Sequence, residues 1–131
     1  MARKRPTAVL KLKAQVMLGE AIAIGPGKAD LLEAVARTGS IAAAGRALGL
    51  SYRRTRDMID TLGACWRVPL VETVKGGRAG GGTTLTPAGR EVLERYRALQ
   101  AAIRQAADSH AGELLALAGH PSAKVVAEEG A

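Results

Sequence analysis

Apolar and polar positions alternate from residue 9 to 17. Leu10, Leu12, Ala14 and Val16 fall on one side, and Val9, Lys11, Lys13 and Gln15 on the other. Period two predicts a strand with one wet face. Gly19-Glu20 offers a turn and residues 21–24 return, which predicts an N-terminal β-hairpin. Gly25-Pro26-Gly27 ends that pattern. From Lys28 the period lengthens: Leu31, Leu32 and Val35 form a helical stripe running to Thr38, where Gly39 suits the helix end. Ser40 is placed to cap a second helix reaching Leu48, with Ile41, Ala44 and Leu48 inward. Gly49-Leu50 makes a turn, and Ser51 caps a third helix over about residues 52–64. On it Thr55, Met58, Ile59 and Leu62 share one face. Gly45 lacks a side chain where the two helices would approach closely, and Gly49 permits a left-handed turn.

Residues 70–74 read as a strand after Pro69, residues 75–82 as a loop, and the β-branched residues 83–86 as a returning strand. Thr86 then caps a long helix, with Pro87 at its first position, where a missing N–H costs nothing. Val92, Leu93, Tyr96, Leu99 and Ile103 recur every three or four residues along this helix, which runs to about residue 107. That stripe is longer than one short hairpin can cover, so part of it is expected to face a second subunit. The predicted fold is mainly α with small β: a winged helix-turn-helix with an N-terminal β-hairpin and a long C-terminal dimerisation helix. Residues 1–7 read as a basic flexible arm, 8–107 as one winged helix-turn-helix domain, and 108–131 as an acidic, partly disordered tail.

Length and composition narrow the picture. The chain has 131 residues, enough for one domain and a short tail. It has no Phe, and its aromatics are Trp66, Tyr52 and Tyr96, so the core is left to Leu, Ile, Val and Ala. Such a core is marginal for an isolated monomer, and burial against a second subunit would help. The net charge is +7, unevenly spread: residues 1–107 carry 18 Lys and Arg against 8 Asp and Glu, whereas residues 108–131 carry one against four. A basic body with an acidic tail points to a polyanionic partner, most often nucleic acid.

Cys65 stands alone, which excludes an internal disulfide and suits a reducing cytoplasm. No stretch reaches membrane-spanning length, and Lys11 and Lys13 interrupt the apolar run near the start, so neither a membrane partner nor a signal peptide is expected. His110 and His120 have no Cys or carboxylate at ligand spacing, and no paired carboxylates or Ser/His/Asp set is visible. No metal, cofactor or enzymatic activity is therefore expected.

Ser51, Tyr52, Arg53, Arg54 and Arg56 crowd the start of the third helix. An α-helix fits the major groove and reads base edges with its N-terminal residues. Arginine donates two parallel hydrogen bonds to guanine O6 and N7. Ser51 and the free N–H groups of the helix start suit a phosphate, and Ser40 at the start of the second helix is counted with them. The plain alternative is a solvated arginine face balanced by Asp57 and Asp60; the helix-turn spacing just before it favours double-stranded DNA. The loop Lys75-Gly-Gly-Arg-Ala-Gly-Gly-Gly82 has Lys75 and Arg78 as its only charges and lets the backbone approach phosphates, as a wing beside the recognition helix would. A nucleotide-phosphate loop is a poor alternative, because no Gly-Lys-Ser/Thr ends it and no helix follows it directly.

Gly39-Ser40-Ile41, Leu48-Gly49-Leu50-Ser51-Tyr52, Leu70-Val71-Glu72, Gly76-Gly77, Gly80-Gly81-Gly82, Leu85-Thr86 and Gly89 together resemble the N-terminal DNA-binding domain of the ModE-type molybdate-responsive transcriptional regulators, a winged-helix family close to the LysR type. The glycine wing separates this group from other winged helices, and the similarity covers about residues 8–107. The resemblance implies a homodimer gripping a two-fold-related DNA site through two recognition helices. It also implies dimer contacts from the long helix and the N-terminal hairpin. Full-length members continue into a pair of small molybdate-binding β-barrels. Here about 24 residues follow residue 107, so the expectation is a regulator without those domains, in which direct molybdate binding is doubtful. Two other readings stay open: a non-specific or architectural DNA-binding protein, and a winged helix that docks a protein.

Overall fold

The computed structural model describes residues 6–74 and 82–118, and the backbone of residues 120–127. Strands β1 (Thr7–Leu12), β2 (Val16–Leu18) and β3 (Ala21–Ile24) precede helices α1 (Pro26–Thr38), α2 (Ile41–Ala47) and α3 (Tyr52–Cys65). Strands β4 (Val71–Val74) and β5 (Gly82–Leu85), helices α4 (Pro87–His110) and α5 (Gly112–Ala118), and strand β6 (His120–Ala127) complete the order. The core lies where α1, α2 and α3 meet under β3 and α4. Ile24, Leu31, Leu32, Val35, Leu62 and Leu70 are sealed from solvent there. The expected mainly helical winged-helix architecture is what forms.

The helix ends follow from local chemistry. Gly39 closes α1 in the left-handed conformation at φ 72°, and its N–H donates to the Val35 carbonyl. The Ser40 hydroxyl oxygen accepts from the Ala43 N–H, the Ser51 oxygen from the Arg54 N–H, and the Thr86 oxygen from the Gly89 N–H. Each cap satisfies a first-turn donor that the helix itself leaves unpaired.

The crossing of α2 over α3 is set by one small contact. Thr55 is fully buried, and its hydroxyl donates to the Ser51 carbonyl at 2.7 Å. Its side chain fills the space where a Cβ on Gly45 would stand. The turn between the helices passes through Gly49 at φ 71°, and the Leu50 N–H returns to the Gly45 carbonyl at 2.8 Å.

The β-hairpin of β4 and β5 is tied to this unit through backbone. The Thr83 N–H donates to the Gly39 carbonyl and the Thr86 N–H to the Leu70 carbonyl. Gly89 opens α4 hard against the Leu70 backbone, where any Cβ would collide. Further along, α4 is strapped to α1 by Arg97, which donates to Glu33 and Asp30 at 2.8 and 2.7 Å.

Two expectations change. The strand expected over residues 9–17 is two strands: β2 pairs antiparallel with β3, while β1 pairs parallel with β6. The break falls at residues 13–15, where the Ala14 carbonyl accepts the Tyr96 hydroxyl at 2.7 Å. Residues 108–127, expected as a partly disordered tail, instead finish α4, form α5 and lay β6 beside β1, with Val9 opposite Lys124 and Leu12 opposite Ala127. The β-branched Val125 and Val126 within β6 are strand formers. Residues 1–5, most of the basic arm, lie outside the described residues.

Gly45→Ala is expected to lower stability by about 1–3 kcal/mol, because overpacking against Thr55 outweighs the better helix propensity of alanine. Gly63→Ala on α3, where a Cβ would meet nothing within 4 Å, is expected to raise it by up to about 1 kcal/mol. Urea midpoints of the two variants, moving in opposite directions, check the crossing.

Candidate nucleic-acid interface

Helix α3 buries Thr55, Met58, Ile59 and Leu62 and exposes the rest of its first three turns. At 100° per residue these four side chains centre on one direction, and Arg53 points about opposite it. Asp57 and Asp60 flank Arg53. Tyr52 and Arg56 lie to one side, and Arg54 lies to the other. Arg53 therefore reaches farthest from the core, a ranking that the sequence leaves open. Tyr52 is 63% exposed, so its ring stands on the surface rather than in the fold.

The arginines differ in their partners. Arg56 faces Asp60 at 3.7 Å, with both side chains more than half exposed. A loose surface pair of this kind contributes little and is readily exchanged. Arg53 and Arg54 have no anionic partner among the described residues. Ser51 is exposed, and its oxygen already accepts from the Arg54 N–H, leaving the hydroxyl proton to donate outward. Ser40 is half-buried and spends its oxygen on the Ala43 N–H. Lys75 and Arg78, expected in the wing, lie outside the described residues; strands β4 and β5, which lead into and out of that loop, pair in register from Val71–Leu85 to Val74–Gly82.

One cation escaped the sequence reading. Lys28, in the first turn of α1, is 5% exposed, with no hydrogen bond or ion pair among the described residues. No buried side-chain nitrogen or oxygen there lacks a partner, so the ammonium tip must touch solvent while its stem is covered. Burial pushes its pKa below the ordinary lysine value, Arg54 pushes it further down, and Cys65 partly opposes them. The signal lay in its spacing: Lys28 sits three, four and seven residues before Leu31, Leu32 and Val35, on the apolar stripe.

The stripe on α4 divides into two parts. Tyr96 is removed from the expected subunit interface: its ring is buried and its hydroxyl is bound to Ala14, so it belongs to the chain's own core. Burial raises its pKa. Val92 and Leu93 are half-buried against the same core. Leu99 is 44% exposed, and Ile103 lines an open cleft with Leu12 and Ala14. Beside Leu99, all three residues of β2 (Val16, Met17 and Leu18) are exposed. Of these, Val16 lines a groove of about 190 Å³ together with Leu99, Ile24, Trp66, Val92 and Tyr96. No helix among the described residues is long and apolar enough to cross a membrane.

Residues 28–90 match the family model of the bacterial regulatory helix-turn-helix proteins of the lysR family. The chain is 44% identical over 86 residues to the molybdenum transport protein ModE of Azotobacter vinelandii, covering 66% of this chain and 32% of that protein. It is 41% identical over 80 residues to the molybdenum-pterin-binding protein MopB of Rhodobacter capsulatus, covering 61% of this chain and 30% of that one. The chain thus spans about a third of the length of the curated relatives it matches. Among solved structures, VV2_1132, a LysR family transcriptional regulator, superposes with a TM-score of 0.50 at 17% identity over 66% of this chain and 28% of that chain, a likeness of fold.

Lys28→Met is expected to stabilise the fold at neutral pH by removing a desolvated cation. A lysine whose folded-state pKa lies below its unfolded value of 10.5 makes the wild type gain stability as pH rises from the folded pKa towards 10.5. The methionine variant lacks that gain, so its advantage should shrink between pH 7 and pH 10.5. Denaturation midpoints at the two pH values check the sign.

Proposed function

We propose, from a chain whose residues 28–90 are a ModE-like helix-turn-helix domain of the lysR family, a sequence-specific regulator of transcription that acts as a homodimer on a two-fold-related site in duplex DNA. One observation carries the proposal. The face of α3 opposite its buried stripe presents Arg53, with Arg54 and Arg56 beside it, and neither Arg53 nor Arg54 has an anion to neutralise it among the described residues. A rigid helix with free guanidinium forks matches the acceptors of guanine in the major groove. Lys75 and Arg78 are assigned to the phosphate backbone beside that groove. Such a protein needs no chemistry of its own and acts in the bacterial cytoplasm. Its target genes are proposed to concern molybdenum, because the relatives are named for molybdenum transport and molybdenum-pterin binding.

The second subunit is proposed to cover Leu99, Ile103 and the exposed apolar strand β2, with Val92 and Leu93 at the rim. Leu99 and all three residues of β2 are exposed, which is unusual for a monomer with so small a core. Leu99→Asp is expected to shift the protein from dimer to monomer in sedimentation velocity without loss of helical circular dichroism. A dimer that survives the substitution places the interface elsewhere.

Selection from a randomised duplex pool tests the reading of sequence. Arg53→Ala should lose about 1–3 kcal/mol of preference for the selected duplex over a scrambled one. Lys75→Ala and Arg78→Ala should weaken both duplexes alike and each reduce the slope of log K against log salt by about 0.9. A steep salt slope with no recovered motif would instead describe an architectural DNA-binding protein.

A further inference from the structure

The outward face of α3 is not uniformly basic. Asp57 stands four residues after Arg53, so the two side chains project from successive turns of one stripe, about 6 Å apart along the helix axis. Both are exposed. On a chain of net charge +7, this face carries a carboxylate that any approaching phosphate backbone would repel. Asp60 lies as near the outward direction, but Arg56 faces it at 3.7 Å. The Asp57 carboxylate has no hydrogen bond or ion pair among the described residues; the Thr61 hydroxyl donates to its backbone carbonyl instead. Arg53 leaves it unpaired as well, and at this spacing arginine before aspartate is the weaker order for a pair.

In water an exposed carboxylate of this kind is satisfied by solvent. In a major groove it loses that water and needs a donor. Phosphate oxygens, guanine O6 and N7, and thymine O4 all accept, so none of them can satisfy it. The donors on base edges there are cytosine N4–H and adenine N6–H. Adenine sets its N7 acceptor beside the amino group, which suits an amide side chain that both donates and accepts. A carboxylate only accepts, so cytosine is the base that Asp57 matches. The rise from Arg53 to Asp57 spans about two base steps of roughly 3.4 Å.

We infer that Asp57 determines specificity: its carboxylate accepts from the outward N4–H of a cytosine about two base steps from the guanine that Arg53 contacts. The inference rests on the duplex-reading proposal above and extends it in two ways. First, α3 reads two G·C pairs through groups of opposite charge, one donating and one accepting. Second, Asp57 acts against other sequences, because a carboxylate set against an acceptor stays desolvated and unpaired. Asp60, faced by Arg56 and about 10 Å beyond Arg53 along the helix, takes no part in this contact.

The test selects from one randomised duplex pool with the full-length wild type and Asp57→Ala, their folding compared by circular dichroism. Each half of the wild-type motif should contain two G·C positions about two base steps apart. Asp57→Ala should lose a preference of roughly 5- to 150-fold at one of them and keep the other, which Arg53→Ala loses instead. N4-methylcytosine supplies a second readout. It still pairs with guanine but carries a methyl group where cytosine presents its outward N4–H. At the Asp57 position it should weaken binding of the wild type and leave that of Asp57→Ala unchanged. An Asp57→Ala protein that recovers the whole motif overturns the inference and leaves sequence reading by α3 intact. Tighter binding of every duplex with the motif unchanged overturns it too, since the carboxylate would then act as a repulsive charge alone. A wild type that enriches no motif overturns both. Should the variant fail to fold, the wild type decides: binding that N4-methylcytosine weakens at no cytosine of the motif overturns the inference.

Discussion

Everything that faces outward on α3 depends on how closely α2 lies against it. Thr55 occupies the space that a side chain at residue 45 would need, and its hydroxyl is bonded back to Ser51. The contact leaves the crossing one arrangement, because neither the buried threonine nor the helix backbone behind it has room to move. Burying Thr55, Met58, Ile59 and Leu62 then dictates that Arg53 points away from the core and that Arg54 and Arg56 diverge on either side. The outward arginine face is thus a consequence of packing on the opposite face of the same helix.

The remaining elements hold that unit in place by joints of different strength. The hairpin of β4 and β5 is joined by backbone at Gly39 and Leu70, which fixes its position relative to the helix-turn-helix. Helix α4 is joined by side chains. Arg97 is partly desolvated, which disfavours its charge, yet its hydrogen bonds to Glu33 and Asp30 outweigh that and raise its pKa. Tyr96 adds a buried hydrogen bond to Ala14, and Trp66 donates to the Ala23 carbonyl at 3.0 Å. A helix tied to α1 in this way carries its exposed residues, Leu99 above all, at a set distance from α3. In a two-fold dimer that distance would govern the separation of the two reading helices, and so of the half-sites.

Most of this was legible because it is local. Gly39, Ser40, Gly49, Ser51, Thr86 and Pro87 each act within four residues of their own position, and the four buried residues of α3 follow from a single helical period. What escaped was set by residues far apart in the chain. The break in the first strand coincides with a hydrogen bond between Ala14 and Tyr96, 82 residues apart. The pairing of β1 with β6 joins opposite ends of the chain in parallel, and no turn announces it. Tyr96 fits an exposed stripe on α4 as well as a buried one; only its partner decides. Lys28 was overlooked for the opposite reason, since a lysine breaks the apolar stripe it occupies and reads as surface.

Affinity capture of sheared genomic DNA by the purified protein, followed by sequencing, tests most directly whether this surface reads sequence. An enriched inverted repeat, lost when Arg53 is replaced by alanine, is the expected result. Capture that follows salt alone, with no motif enriched, would contradict sequence-specific recognition by α3.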